Sequence, residues 1–296
     1  MHYQIVHKTI YTYSQPITLE PHIIRLRPRS DGWQTLRNFE LEVSPTPVGQ
    51  SQIIDLDGNG AIKVWFESQT TELLEIQTRS QVETHCTNPF NFLLEPWANK
   101  LPIDYPTSMR SQLQPYLQGY WQTAGIDPVA IGLAQEIHHA TNGQTVGFLT
   151  ALNEQIYQTC KQIIRETGAP LPPGVTWTEK SGSCRDSAIL FMEVCRAVGL
   201  AARFVSGYQE GDPDANDRHL HAWAEVFLPG AGWRGYDPTH GLAVADGHIA
   251  VAASAVPQSA APVKGGYKGK AKSELSYKLT IQPAIAQQRQ EARGER

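Results

Sequence analysis

Hydrophobic and polar positions change their period along this chain of 296 residues. Up to residue 86, apolar and β-branched side chains recur at every second position over 3–13, 23–27, 37–43, 62–66 and 71–82, between Pro, Gly and Asn punctuation. That is the period of strands with one buried face, and the succession predicts an antiparallel β-sandwich-like domain over 1–86. Asp55-Leu-Asp-Gly-Asn-Gly60 opens like a calcium loop, but its twelfth position is Phe66 and not Glu, and its flanks read as extended. It is predicted as a hairpin turn. Pro89, Pro96, Pro102, Pro106 and Pro115 interrupt anything long, so 87–130 is predicted as a connector with short helices.

Helical spacing takes over beyond the connector. One helix over 131–140 ends at Asn142-Gly143, and a second carries Phe148, Leu149, Leu152, Ile156, Cys160 and Ile163 at steps of three and four. The Pro- and Gly-rich segment 168–174 is predicted as a loop. Residues 185–198 then read as a largely buried helix, broken only by Glu193 and Arg196 and stopped by Gly199. His221, Trp223 and Glu225 alternate with Ala222, Ala224 and Val226, which means a strand, and 233–237 can return beside it after the turn at 228–232. Residues 273–281 alternate again and are predicted to close the sheet of a second domain spanning 131–286. The polar end, 287–296, is predicted to be disordered.

Composition sets outer limits. With 41% hydrophobic residues the chain can bury a full core. A net charge of −4 offers no footprint for nucleic acid, and no phosphate-loop glycine pattern is present. The chain starts without a basic segment leading into an apolar one, and no apolar run approaches the roughly 18 residues of a membrane span. The expectation is a soluble cytoplasmic protein with no nucleic-acid or membrane partner. Of its four cysteines, Cys184 and Cys195 share one helix, where eleven residues rise about 16 Å. A disulfide needs Cα atoms within about 7 Å. Cys86 or Cys160 could reach Cys184 only by blocking it, so reduced thiols are expected.

Cys184 is the candidate nucleophile. Ser183 can cap the helix that follows while Asp186, at the third helical position, returns a bond to the cap. The unpaired N–H groups and the helix dipole then stabilise negative sulfur, and the same groups suit an oxyanion. A thiol works on a carbonyl best with a base whose tautomer is fixed by a third group, and His221 and Asp237 supply both types. Their register is a test. With Leu228 opposite Gly232, Asp237 falls opposite Trp223 and diagonal to His221, whereas an even loop puts it on the other face. A zinc shell of His219 and His221 completed by Cys184, Asp237 or His240 is the chemical rival. Without a Cys-x-x-Cys pair or a His-Glu-x-x-His helix it is not favoured, and neither metal nor organic cofactor is expected.

These residues lie in Gly182-Ser-Cys-Arg-Asp186, His221-Ala-Trp-Ala-Glu-Val226, Gly232-Trp233 and Asp237-Pro-Thr239. The set resembles the bacterial transglutaminase-like superfamily, whose motifs run Gly-x-Cys-x-Asp, His-Ala-Trp-x-Glu-Val, Gly-Trp and Asp-Pro-Thr, and the likeness extends from Cys195 to Gly207. The beginning of the chain is similar to the extended domain that often precedes this core in bacteria. The resemblance implies an α+β protein in which a papain-like transglutaminase core, a helix carrying Cys packed on an antiparallel sheet carrying His and Asp, follows the N-terminal domain. It implies Cys184 as nucleophile, His221 as general base and acid, and Asp237 as the orienting carboxylate. Thiol-dependent cleavage of a peptide or carboxamide bond in a protein or peptide substrate, through a thioester, is the expected reaction. Amide transfer to an amine is the alternative, and a non-catalytic binding or scaffold protein the reading from another class. Trp177, Ser183 and Trp223 are candidate substrate or oxyanion contacts, and the loops 168–174 and 210–217 candidate substrate walls.

Overall fold

The computed structural model describes residues 1–120, 125–165, 168–211 and 218–283. Six strands open the chain: β1 (His2–Leu19), β2 (His22–Ile24), β3 (Gln34–Ser44), β4 (Gly49–Ile54), β5 (Gly60–Trp65) and β6 (Thr70–Thr84). Alternation in β1 has the expected cause, since Tyr3, Ile5, His7 and Thr9 are buried and point the same way. The strand β4 carries no such pattern. It is mostly polar and exposed, and it is a strand because it forms a hairpin with β5. The Asp55–Gly60 segment is the turn of that hairpin, closed by Asp55 Oδ1, which accepts the N–H groups of Asp57 and Asn59 at 3.0 and 2.9 Å.

The connector holds α1 (Thr107–Leu113), followed by α2 (Pro128–Ala140), α3 (Thr145–Thr159), β7 (Lys161–Gln162), α4 (Pro173–Glu179), β8 (Ser181–Gly182) and α5 (Cys184–Ala197). Two expectations change here. The helix α3 stops at Thr159 and does not reach Ile163, because Lys161 and Gln162 pair in parallel with Ser181 and Gly182 and pull Cys160 into an extended conformation. The segment 168–174 does not run straight to the Cys helix either. Pro173 starts the short helix α4, a first-turn position where its missing N–H costs nothing.

An antiparallel sheet of β9 (Ala202–Gln209), β10 (His221–Leu228), β11 (Gly232–Asp237), β12 (Leu242–Ala243) and β13 (His248–Ser254) follows, in the order β12-β11-β10-β9-β13. The helix α5 packs on it and is buried continuously from Asp186 to Arg196. Glu193 and Arg196 are therefore joints rather than a solvent face. Glu193 accepts the N–H groups of Tyr120 and Asp127, at 2.7 and 2.9 Å, and Arg196 donates to the carbonyls of Tyr116, Ala202 and Ala255. Buried charge survives because it is hydrogen-bonded.

The chain then returns to its beginning through β14 (Val263–Lys264), β15 (Tyr267–Lys268) and β16 (Ser273–Pro283). The strand expected over 273–281 exists, but it pairs with β1, from Tyr3↔Pro283 to Tyr13↔Ser273, and not with the sheet of β9 to β13. Alternation dictates which face is buried and leaves the neighbour open. The completed first layers are β15-β1-β6-β3, with β16 also on β1, and β14-β2-β5-β4. Residues 287–296, expected to be disordered, lie outside the described residues.

Two side-chain amides join these layers to β13. Gln34 exchanges two hydrogen bonds with the backbone of Ala250, at 2.8 and 2.7 Å, and Asn59 exchanges two with Ala253, both at 2.8 Å. Each amide substitutes for a strand neighbour on an edge that would otherwise expose its backbone groups. Tyr3, Ile5 and Val82 pack against Tyr208, Ile249 and Val251 around this seam.

Candidate active site

Cys184 is the first residue of α5, and the residues around it build the helix start. Ser183 sits at the cap with its N–H and its hydroxyl both donating to Asp186 Oδ2, at 2.8 and 2.7 Å. Asp186 also accepts the Leu171 N–H at 2.7 Å and Arg165 Nη1 at 2.9 Å. Burial opposes an ionised carboxyl at this position, but the bonds from Leu171, Ser183 and Arg165 prevail and hold Asp186 below the usual carboxylate range. Ser183 is thus committed to the helix cap, with its hydroxyl proton spent on Asp186. The loop before α4 is tied to the same turn, since Arg185 donates to the carbonyls of Arg165 and Gly168. Of the other candidate wall, 212–217 lies outside the described residues.

His221 opens β10 and Asp237 closes β11. Pairing begins at Leu228↔Gly232 and reaches Ala224↔Tyr236, which is the odd-loop register of the two weighed and brings Asp237 opposite Trp223. His221 Nε2 is 2.8 Å from Asp237 Oδ2. An ionised carboxylate only accepts, so Nε2 must carry the hydrogen and Nδ1 is left for another partner. The Cys184 thiol lies close enough to act on the imidazole through both hydrogen bonding and charge. Burial alone would lower the His221 pKa, but the hydrogen bond and charge of Asp237, with a contribution from Cys184, raise it to about 10. Asp237 is fully buried. Desolvation pulls its carboxyl upward, yet the charge and bond of His221 and the bonds of His240 and His248 hold it well below the usual carboxylate range.

Two further histidines join this cluster. His240 Nδ1 lies 2.8 Å and His248 Nε2 3.1 Å from the same Asp237 Oδ2, while Thr239 N–H donates to Oδ1 at 3.0 Å. In the sequence, His240 had a signal only as a possible metal ligand beside Asp-Pro-Thr. His248 had none, because it reaches Asp237 through the sheet from β13. Trp223, a candidate substrate or oxyanion contact, is fully buried and backs the imidazoles, with ring centroids 6.2 Å from His221 and 5.3 Å from His248. Gly207 makes that possible, since an added Cβ would run into the Trp223 ring and the Ile249 carbonyl. Trp177 lies on α4, half-buried, with the Lys180 ammonium 3.4 Å from its ring centroid.

Gln162 is the neighbour that sequence reasoning missed. Oriented to satisfy both of its contacts, its amide donates to the Gly182 carbonyl at 3.2 Å and accepts the Cys184 N–H at 3.0 Å. Continuing the period of α3 through residue 163 hides this contact, which only the pairing of β7 with β8 creates.

Of the residues weighed as a zinc shell, His219 stands apart from the others. His219 is hydrogen-bonded to the Tyr277 hydroxyl on β16. His221, Asp237 and His240 do lie together, with ligand atoms within 4.8 Å of one another. Their imidazole N–H groups are taken up by the carboxylate itself. The remaining thiols are in other surroundings: burial pushes those of Cys86 and Cys160 up, and that of Cys195 well up. No helix among the described residues is long and apolar enough to cross a membrane.

Comparison with known proteins adds a second line. A model of the transglutaminase-like superfamily matches residues 132–238, and one of the bacterial transglutaminase-like N-terminal region matches residues 3–83. An uncharacterized protein of Mycobacterium leprae is 26% identical over 294 residues, covering 94% of this chain and 97% of that one. A Pseudomonas aeruginosa protein named protein-glutamine gamma-glutamyltransferase is 33% identical over 129 residues, which is 40% of this chain and 19% of that protein. Among solved structures, one from Cytophaga hutchinsonii described as a candidate cysteine protease superimposes with a TM-score of 0.73. That match covers 97% of this chain and 91% of the other at 20% identity, a likeness of fold.

Proposed function

We infer the activity of this chain from its membership of the transglutaminase-like superfamily, to which it belongs through both its N-terminal region and its core. That membership supports a cysteine-based catalytic role. Within it we assign the nucleophile to Cys184, the proton carrier to His221 and the orienting carboxylate to Asp237. One observation carries the assignment: the imidazole that is held by Asp237 at 2.8 Å through Nε2 is also acted on by the Cys184 thiol.

The reaction is cleavage of a peptide or carboxamide bond. His221, whose raised pKa keeps the imidazole protonated at neutral pH, holds the proton drawn from the Cys184 thiol, and Sγ attacks the carbonyl carbon while the π electrons of the carbonyl move onto its oxygen. As the tetrahedral species collapses, the C–N bond breaks and His221 returns the proton to the departing nitrogen, leaving a thioester on Cys184. Asp237 keeps the imidazole in the required tautomer and favours its protonated form. Water, deprotonated by the same imidazole, then releases the acid. Hydrolysis is favoured over transfer by the open surroundings of the cluster, where Gln162 is exposed beside Cys184 and the His240 side chain is 41% exposed. Exclusion of water, which transfer requires, has no evident device among the described residues.

Amide transfer is the second reading, motivated by the relative named protein-glutamine gamma-glutamyltransferase. The two separate in one experiment, in which the full chain is incubated with casein in the presence of dansylcadaverine. Hydrolysis predicts released ammonia or new peptide ends without dansyl incorporation, and loss of both in Cys184→Ala. Dansyl incorporation that depends on Cys184 replaces hydrolysis by transfer. Product that persists in Cys184→Ala removes the assignment altogether.

A further inference from the structure

We propose that Gln162 supplies the second donor of the oxyanion site, beside the backbone N–H of Cys184. The inference rests on the assignment of Cys184 as nucleophile and adds a residue to it. As the first residue of α5, Cys184 has an N–H with no acceptor inside the helix. The acceptor it has instead is Gln162 Oε1, 3.0 Å away. An oxygen at that distance from this N–H, on the residue that carries the attacking sulfur, occupies the position that the carbonyl oxygen of an attacked substrate must reach, because oxyanion donors act at about 2.7–3.1 Å. The Gln162 amide therefore stands in for substrate at rest.

What keeps the amide there is weak, and what keeps the residue there is strong. The backbone is fixed by the parallel pairing Lys161↔Ser181 and Gln162↔Gly182, with Lys161 N donating to Lys180 O at 2.8 Å and Ile163 N to Gly182 O at 3.0 Å. The side chain is exposed, and its amide partners are the Gly182 carbonyl and the Cys184 N–H. Torsion about its Cγ–Cδ bond is broad and roughly two-fold, so a half-turn exchanges Oε1 for Nε2 without moving the backbone. When Sγ bonds to the carbonyl carbon and the π pair settles on oxygen, that oxygen takes the place of Oε1 and accepts from Cys184 N–H, and the exposed side chain swings back to make room. The withdrawn and turned amide donates Nε2–H to the same oxygen. Both bonds are released when the carbonyl re-forms and the C–N bond breaks.

The competing role is a simple cap for α5, and a ratio of two reactions tells them apart. Alkylation of Cys184 by iodoacetamide displaces iodide at a saturated carbon and develops no oxyanion. Acylation by p-nitrophenyl acetate, read as a nitrophenolate burst, does. Dividing the acylation rate by the alkylation rate at one pH cancels any change in thiolate population. For the full chain, Gln162→Ala and Gln162→Glu are both expected to lower this ratio by about 100-fold or more, the usual loss of one oxyanion donor. Gln162→Glu still offers an oxygen to Cys184 N–H, so its melting temperature stays near wild type. A ratio within twofold of wild type in both variants overturns the proposal, and a normal ratio in Gln162→Glu with a lowered melting temperature in Gln162→Ala identifies a cap. A burst that is missing in wild type, or that survives Cys184→Ala, removes the parent assignment and Gln162 with it.

Discussion

His7 and His221 are both buried, at 3% and 8% exposure, yet their surroundings drive them to opposite charge. His7, on β1, has Tyr208 Oη at 3.1 Å from Nδ1 and Thr9 Oγ1 at 3.2 Å from Nε2, with the rings of Tyr208 and Tyr277 edge-on to it. Burial lowers its pKa to about 4. His221 pays the same desolvation, but Asp237 reverses the outcome and raises its pKa to about 10. The clusters are close: Tyr208 contacts His7, and the preceding residue of β9, Gly207, is paired with His221. Burial alone makes a histidine part of the scaffold. Burial beside an ionised carboxylate that it helps to keep ionised makes it a proton carrier at neutral pH.

The most damaging way to erase the difference is Asp237→Asn, which keeps the shape and removes the anion. Acylation of Cys184 is expected to fall by about 10³–10⁴-fold. Loss of one partner from a buried charge pair also lowers stability, by about 3 kcal/mol. Its sign with pH follows from His221: a raised folded pKa contributes stability fully below the unfolded value near 6.5, and loses it as pH climbs through about 10. Chemical denaturation at pH 6 and pH 10 should show this decline in wild type and a flattened one in Asp237→Asn. An equal decline in both contradicts the assignment.

The reverse change gives His7 what it lacks. Thr9→Asp introduces a carboxylate beside its imidazole, and the His7 pKa, followed by NMR of the ring protons, is expected to rise by about 1–3 pH units. No acylating activity should appear at His7, where there is no thiol. A pKa that stays at about 4 would mean that the carboxylate is not what separates the clusters.

Smaller still is the effect of His7→Gln, which leaves acylation at neutral pH unchanged and costs about 1 kcal/mol in hydrogen bonding. In wild type the unfolded chain takes up a proton that folded His7 refuses, so stability falls as pH drops from about 6.5 toward about 4. That part of the decline should vanish in the variant. If it remains, the seam between the first layers and β9 owes its acid sensitivity to another group.

The comparison also marks what could be read along the chain. Alternation in β10 and apolar periodicity in α5 were local facts, and they sufficed to put His221 on a strand and Cys184 at a helix start, whereas the odd length of the turn, on which the meeting of His221 and Asp237 depends, is settled by the pairing of β10 with β11. Convergence was not local. His248 reaches Asp237 from β13, Gln162 reaches Cys184 only because a two-residue parallel pairing overrides helical periodicity, and β16 chooses β1 over the nearer sheet. A side chain's period reports the face it buries against and is silent on which strand lies beside it. For the same reason Glu193 and Arg196 read as breaks in a helix stripe, when each is a hydrogen-bonded joint to a segment distant in sequence.

Brief sub-stoichiometric iodoacetamide treatment of wild type and His221→Ala, with each cysteine quantified by mass spectrometry, tests the central claim most directly. Cys184 should take almost all of the label in wild type, because the other three thiols are held protonated by burial, and His221→Ala should lose most of that preference. Label spread over Cys86, Cys160 and Cys184, or a preference for Cys184 that His221→Ala leaves intact, would contradict the account.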